Sequence, residues 1–202
     1  VPRLTNSEVH RVTGNIRVPA GKTLTIEPGT IIQFNSGTSL TVDGILKAVG
    51  TDAAPIYFTS PQDNSPTGGG NTASPGNWGV ITFNADSDAS RLEHIVARYG
   101  GSGRSGLIVT SADIQISNST ISHTPFLVAG VRIQSASPNL TNLDLRNNYS
   151  AASMDLASSP MIVDSTATSN TVNGMLLDSG SLTADVTWNS ADFVYVINNQ
   201  VT

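Results

Sequence analysis

Cysteine is absent from this 202-residue chain, which excludes disulfide frameworks, thiolate metal centres and cysteine nucleophiles. Charge is scarce too: Asp, Glu, Lys and Arg make up 12% of residues, about half the usual share. Lysine occurs only at Lys22 and Lys47, and the net charge is -5, so there is no basic patch to meet phosphates and nucleic acid is excluded as a partner. No apolar run reaches the roughly 18 residues of a membrane-spanning helix. The start at Val1 lacks the charged and apolar regions of an export signal, so the chain reads as mature or excised. Helix-length stretches free of breakers are missing as well, because 18 Gly and 10 Pro punctuate nearly every ten residues.

What is present is an ordinary hydrophobic share of 38%, set among Ser, Thr, Asn and Gly rather than among charges. That composition argues against disorder and for one cooperative domain over residues 1–202. The apolar residues recur. Under a single offset of twenty-four, Val109 meets Ile133, Ile116 meets Leu140, Asn118 meets Asn142 and Ile121 meets Leu145. Further copies open at Met154, which sets Leu156 under Ile133 and Asn170 under Asn147, and at Met175. Near the N-terminus Thr23-Leu-Thr-Ile-Glu-Pro-Gly and Ser39-Leu-Thr-Val-Asp-Gly share a frame sixteen residues apart. Between these blocks, short alternating runs at Ile56, Val80 and Leu92 read as strands.

Variable periods with two or three short strands each predict an all-β chain: a right-handed parallel β-helix, a β-solenoid of about eight rungs with one long loop insertion. A β-sandwich would give no reason for self-similarity at these offsets. A left-handed coil would show a strict hexapeptide rhythm. The chain resembles the right-handed parallel β-helix repeat family of bacterial surface and secreted proteins. The resemblance is carried by Val18-Pro-Ala-Gly-Lys-Thr-Leu-Thr-Ile-Glu-Pro-Gly-Thr-Ile-Ile-Gln-Phe34, Asn77-Trp-Gly-Val80 and Leu92-Glu-His-Ile-Val-Ala-Arg-Tyr-Gly-Gly101. It implies the fold and an extracellular, bacterial setting. It does not fix a function, since such modules serve as adhesins and also accompany polysaccharide-active domains.

Several residues are candidates for more than packing. Asn118 over Asn142 is expected to form an internal ladder of amides bonded to neighbouring turns. The segment 61–77, rich in Gly, Pro, Ser and Asn, must leave the coil as a loop. It reads either as a floppy excursion or as a ligand-binding loop using Asp63, Asn64, Asn77 and Trp78. Trp78 is expected in the coil interior, with a sugar-stacking platform as its functional alternative. Asp63, Asp86 and Asp88 can offer oxygen ligands to Ca²⁺, although their spacing matches no defined calcium loop, and no other cofactor is indicated. Arg98, Arg104, His94 and Tyr99 form the one catalytic-looking cluster, read here as structural.

No two acids fall in register on the aligned rungs, as glycoside cleavage in a coil would want. The expected function is therefore a structural or adhesive extracellular module, with a carbohydrate-binding or carbohydrate-cleaving β-helix as the alternative. The ends add an inference. Asn189-Ser190 and the segment after it resemble Asn6-Ser7 and its sequel, with Phe193 on Val9, Val196 on Val12 and Val201 on Ile16. That likeness predicts a tandem array in which neighbouring copies, or adjacent domains of the same polypeptide, cover each other's ends as a stalk, adhesin or fibre. Polysaccharide is a further expected partner.

Overall fold

The structure, a computed structural model, describes residues 3–188, 192–198 and 200–201. Among them the chain is all-β, with two single-turn 3₁₀ segments as its only helical pieces and no helix long and apolar enough to cross a membrane. The first turn of the coil holds β1 (Arg3–Leu4), β2 (Val9–Val12) and β3 (Ile16–Val18), and the second holds β4 (Thr23–Ile26), β5 (Ile31–Phe34) and β6 (Leu40–Val42). The third turn is β7 (Ile45–Val49), β8 (Ile56–Thr59) and β9 (Ile81–Phe83), and the fourth is β10 (Arg91–Glu93), β11 (Ile95–Arg98) and β12 (Gly106–Thr110). In the next two turns the first pair of strands fuses. These turns are β13 (Gln115–Ser122) with β14 (Ala129–Ile133), then β15 (Asn139–Arg146) with β16 (Ser150–Met154). The seventh turn is β17 (Met161–Val163), β18 (Thr166–Thr168) and β19 (Val172–Leu177), and the eighth contributes β20 (Tyr195–Ile197).

Every named ladder is parallel, and each strand pairs with its equivalents one turn above and below, giving three faces around one core. This is a β-solenoid of about eight turns. Its strand-to-strand crossovers are the connection type for which the twist of L-residues selects the right hand.

Alternation explains why the strands stack. On the third face the inward residues form two continuous columns, one running Ile16, Leu40, Ile81, Ile108, Val131, Ala152, Met175, Tyr195. The other runs Val18, Val42, Phe83, Thr110, Ile133, Met154, Leu177, Ile197. The first face supplies Ile26, Ala48, Leu92, Ile116, Leu140 and Ile162, and the second Ile32, Phe58, Ala97, Ile121, Leu145 and Ala167. Like meets like up the stack, so each turn covers its neighbour's apolar residues. Corners use the expected turn chemistry: Lys22 N donates to Pro19 O and Thr30 N to Glu27 O, with Gly21 at φ 71° and Gly29 at φ 79°.

The register confirms some of the expected repeats and corrects others. Ile116 lies over Leu140 and Ile121 over Leu145, but Val109 lies over Arg132, and it is Thr110 that meets Ile133. The corner between the third and first faces is one residue longer after Ile133 than after Thr110, so one offset does not serve both faces. The corner between the second and third faces varies too, 10 residues from Ile121 to Val131 but 7 from Leu145 to Ala152, so Met154, not Leu156, meets Ile133, and Met175 sits over Ala152. The sixteen-residue likeness of Thr23 and Ser39 is not a period, because β4 pairs with β7 on one face whereas β6 pairs with β3 and β9 on another. Both segments simply share the alternation that any rung strand needs.

Candidate functional site

The loop 61–77 is fastened down rather than floppy. Asp63 is 0% exposed. Its carboxylate accepts from Thr59 Oγ1 at 2.6 Å, Ser65 Oγ at 2.7 Å and Arg98 Nε at 2.7 Å, and its carbonyl accepts from Gln33 Nε2 at 3.1 Å. Burial pushes the Asp63 carboxyl up, but the Thr59 and Ser65 hydroxyls and the Arg98 guanidinium outweigh it and hold the pKa below the ordinary value. Asn64 Oδ1 receives Gln33 Nε2 at 3.4 Å, and Asn71 Nδ2 reaches Tyr99 Oη at 2.8 Å. Asn77 Oδ1 accepts from Ser74 N at 2.7 Å, closing the loop's last turn. Asp63, Asn64 and Asn77 are thus anchors of the loop.

Trp78 does not form a platform. It is 0% exposed, lies stacked on Phe34 with centroids 4.5 Å apart, and donates from Nε1 to Arg98 O at 2.9 Å. Arg98 is the hub of this region: it pairs with Asp63, donates to Ser65 Oγ, and lies between the rings of Tyr57 and Tyr99 at 5.7 and 5.6 Å. The cluster around Arg98 and Tyr99 therefore fixes the loop to the coil.

Two corners carry amide ladders, and the sequence pointed to the less buried one. Asn118 and Asn142 both adopt φ 51°, a left-handed bend shared at the same corner by His94 and Asp164. Asn142 Nδ2 donates to Asn118 Oδ1 at 2.8 Å, side chain to side chain, with Asn142 exposed. The expected amide-to-backbone ladder lies one corner further on. There Asn148 Nδ2 donates to Ile121 O at 3.0 Å and Asn170 Nδ2 to Leu145 O at 2.8 Å, while Asn148 N donates to Asn170 Oδ1 at 2.8 Å. Both side chains are buried. Asn170 stacks on Asn148, not on Asn147, an offset of 22 rather than 23. A pair of asparagines followed a turn later by Ser-Asn was the available signal.

The calcium candidates do not converge. Asp86 sits in a 3₁₀ turn, and Asp88 Oδ1 accepts from Asp113 N at 2.8 Å. Asp63 is committed to Arg98, and no group of three His, Asp or Glu side chains that could hold a metal ion occurs among the described residues. Asp88 and Asp113, on adjacent turns, are joined side chain to backbone rather than carboxylate to carboxylate. Asp88 caps the backbone of Asp113, and Asp113 caps that of Ser137, so both carboxylates are used as turn caps.

The remaining chemistry is at the ends of the coil. Among the described residues β1, β2 and β3 have no partner strand on one edge, and β20 ends the third face. Met175 N donates to Val194 O, and strand alternation then turns the N–H and C=O groups of Ile197 to the side away from β19. Val194 and Ile197 are exposed. Val201 bridges Gly180 in the parallel sense, so a ninth turn begins there. The register sets Val196 in the column of Arg17 rather than that of Val12, so the expected superposition of the two ends is out of phase with the coil. Asn189 and Ser190, from which that comparison started, lie outside the described residues. No family model, curated protein or solved structure matches this chain.

Proposed function

We propose that the chain is a non-catalytic structural or adhesive unit that stacks end to end into a stalk or fibre. Its neighbours are further copies of itself or adjacent coil of the same polypeptide. The observation behind this reading is Ile197. The seven other residues of its core column are at most 4% exposed, whereas Ile197 at the open edge is 56% exposed. A coil end that leaves the last residue of a core column exposed is complemented by another strand of the same column. β3 ends the same face at the opposite end and holds Ile16 and Val18 in the same two columns, with Val18 already covered at 4% exposure. Placing β3 of one copy on β20 of another is a head-to-tail contact that does not close, and it builds a rod. Covering the rest of Ile197 contributes about 1 kcal/mol per junction, to which backbone pairing adds.

The setting outside a bacterial cell rests on the resemblance carried by Val18–Phe34, Asn77–Val80 and Leu92–Gly101. Cleavage of carbohydrate is the weaker reading, because Asp88 and Asp113 are occupied by backbone N–H groups. Sedimentation velocity across a concentration series, with electron microscopy of the same samples, tests the proposal. The expected result is rods whose length grows with concentration and which Ile197→Asp disperses while the far-UV spectrum stays unchanged. A monomer at every concentration, or rods indifferent to Ile197→Asp, would overturn it.

A further inference from the structure

A second surface stands apart from the coil ends and does not depend on the stacking proposal. Where the second face turns into the third, four consecutive turns bend through a left-handed residue: Tyr99, His123, Asn147 and Ser169, at φ 66°, 60°, 56° and 57°. On the fifth turn this corner is enlarged into a tight loop. Val128 N donates to Pro125 O at 3.1 Å and Thr124 Oγ1 to Val128 O at 2.6 Å, leaving Phe126 and Leu127 at the tip. Phe126 is 77% exposed and Leu127 61%, and Phe126 is the most exposed large hydrophobic among the described residues.

The loop holds these side chains out at a cost. Leu127 has φ 65°, at the third position of a turn where Gly or Asn is the unstrained choice. A non-glycine residue there costs on the order of 1 kcal/mol. Phe126 is also braced: its ring meets Tyr149 of the next turn edge to face, 5.1 Å between centroids at 78°. A strained turn that presents a braced aromatic ring to water indicates a surface kept for a ligand.

The surroundings define the ligand's chemistry. Phe126 and Tyr149 border an open hollow of about 480 Å³, closed on one side by Pro75 of the anchored loop. Its polar rim is formed by His123, Asn147, Ser169 and Thr171. The rim contains no carboxylate, lysine or arginine. Burial, together with the positive charges of Arg98 and Arg146, holds His123 below its ordinary value, so it is uncharged at neutral pH. No cation lines the hollow to take an anionic ligand, the arginines that act on His123 being paired with Asp63 and Asp144, and no carboxylate lines it to take a cationic one. Two apolar side chains at one tip fall short of the contiguous patch that a protein partner of ordinary size covers. A flat aromatic face flanked by amides and hydroxyls matches a sugar ring, whose C–H face stacks while its hydroxyls hydrogen-bond at the edge.

We infer that this corner binds a neutral polysaccharide, with Phe126 as the stacking platform and Asn147, Ser169 and Thr171 as the hydroxyl-reading rim. Affinity electrophoresis tests it. The intact chain is run through gels containing soluble β-glucan, galactomannan or dextran, and through a polygalacturonate gel as the acidic control. Retardation is expected in at least one neutral gel and not in the acidic one. It should be insensitive to added salt, retained by Ile197→Asp, and weakened roughly tenfold by Phe126→Ala. Asn147→Gly, which keeps the left-handed bend, should weaken it as well. Because Phe126 is exposed, its removal leaves the coil intact, and an unchanged unfolding midpoint verifies this. Migration unaffected by all three neutral polysaccharides overturns the inference. So does retardation that Phe126→Ala leaves alone, or binding confined to polygalacturonate and abolished by salt.

Discussion

Replacing Arg98 by Met is the sharpest probe of how the loop is held. The change preserves the aliphatic stem and removes the guanidinium that faces a carboxylate with no solvent exposure. Breaking a buried pair on one side costs about 3–5 kcal/mol, because the remaining charge is stranded. Thr59 and Ser65 still donate to Asp63, so the lower end, about 3 kcal/mol, is expected. That is a large part of the roughly 5–15 kcal/mol by which a domain is stable. Burial then acts on Asp63 with less opposition, and its pKa rises. The penalty should shrink as the pH is lowered and the stranded carboxylate takes up a proton. Urea unfolding followed by circular dichroism and Trp fluorescence at neutral and mildly acid pH measures both effects. Adding Asp63→Asn removes the stranded charge, so the double variant should be more stable than Arg98→Met alone at neutral pH. A loss under about 1 kcal/mol, or costs that simply add in the double variant, would refute the assignment of Arg98 and Asp63 as the loop's anchor.

Two further outcomes follow from the ladders and the acids. Asn148→Ala orphans Ile121 O and Thr124 N inside the coil and should lower stability by about 2–4 kcal/mol. Asn142→Gly, which removes only the exposed amide, should stay within about 0.5 kcal/mol in the same urea titration. The pH dependence has a definite sign. Asp63 and Asp155 both have folded pKa values below their ordinary ones: burial raises each, but hydroxyl donors and a nearby arginine, with a backbone donor as well at Asp155, outweigh it. Their contribution is therefore present above the unfolded carboxylate value, about 3.9, and is lost as the pH falls through the lower folded values. A urea midpoint that does not fall between pH 5 and pH 2 would contradict it.

The stacking of turns was legible because it depends on alternation, which the chain writes plainly: Ile116 and Ile121 fall over Leu140 and Leu145 at the offset read from sequence. The corners were not. Adding one residue between Ile133 and Asn139 leaves the strands of both faces intact but changes which residue meets which, and nothing in composition marks a corner as one residue longer. A separate slip, an offset of 22 rather than 23 between the sixth and seventh turns, misplaced Asn170 on Asn147 and hid the buried ladder at Asn148. The sixteen-residue likeness of Thr23 and Ser39 failed differently. Alternation with a terminal turn is common to strands on every face, so local similarity could not separate adjacent turns from adjacent faces.

The loop itself was legible, but its anchoring and the aromatic corner were not, because their chemistry is non-local. Asp63 and Arg98 are 35 residues apart and meet because β8 and β11 pair on consecutive turns while the loop folds back across them. Nothing in the sequence sets Phe126 and Leu127 apart from the apolar residues that point inward. Only the closed turn from Pro125 to Val128 reveals that they do not. A coil of this kind uses its apolar alternation for stacking, so departures from alternation are where specific chemistry can be placed. The segment 61–77 and the tip at Phe126 are two such departures. They share a wall, since Pro75 and Phe126 line one hollow, and Cβ of any residue replacing Gly76 would lie 3.5 Å from Pro125 Cγ. Anchoring the loop through Arg98 therefore also shapes the hollow beside Phe126. Arg98→Met should weaken polysaccharide retardation even though Arg98 does not line the hollow, whereas Asn142→Gly, at a different corner, should leave it unchanged.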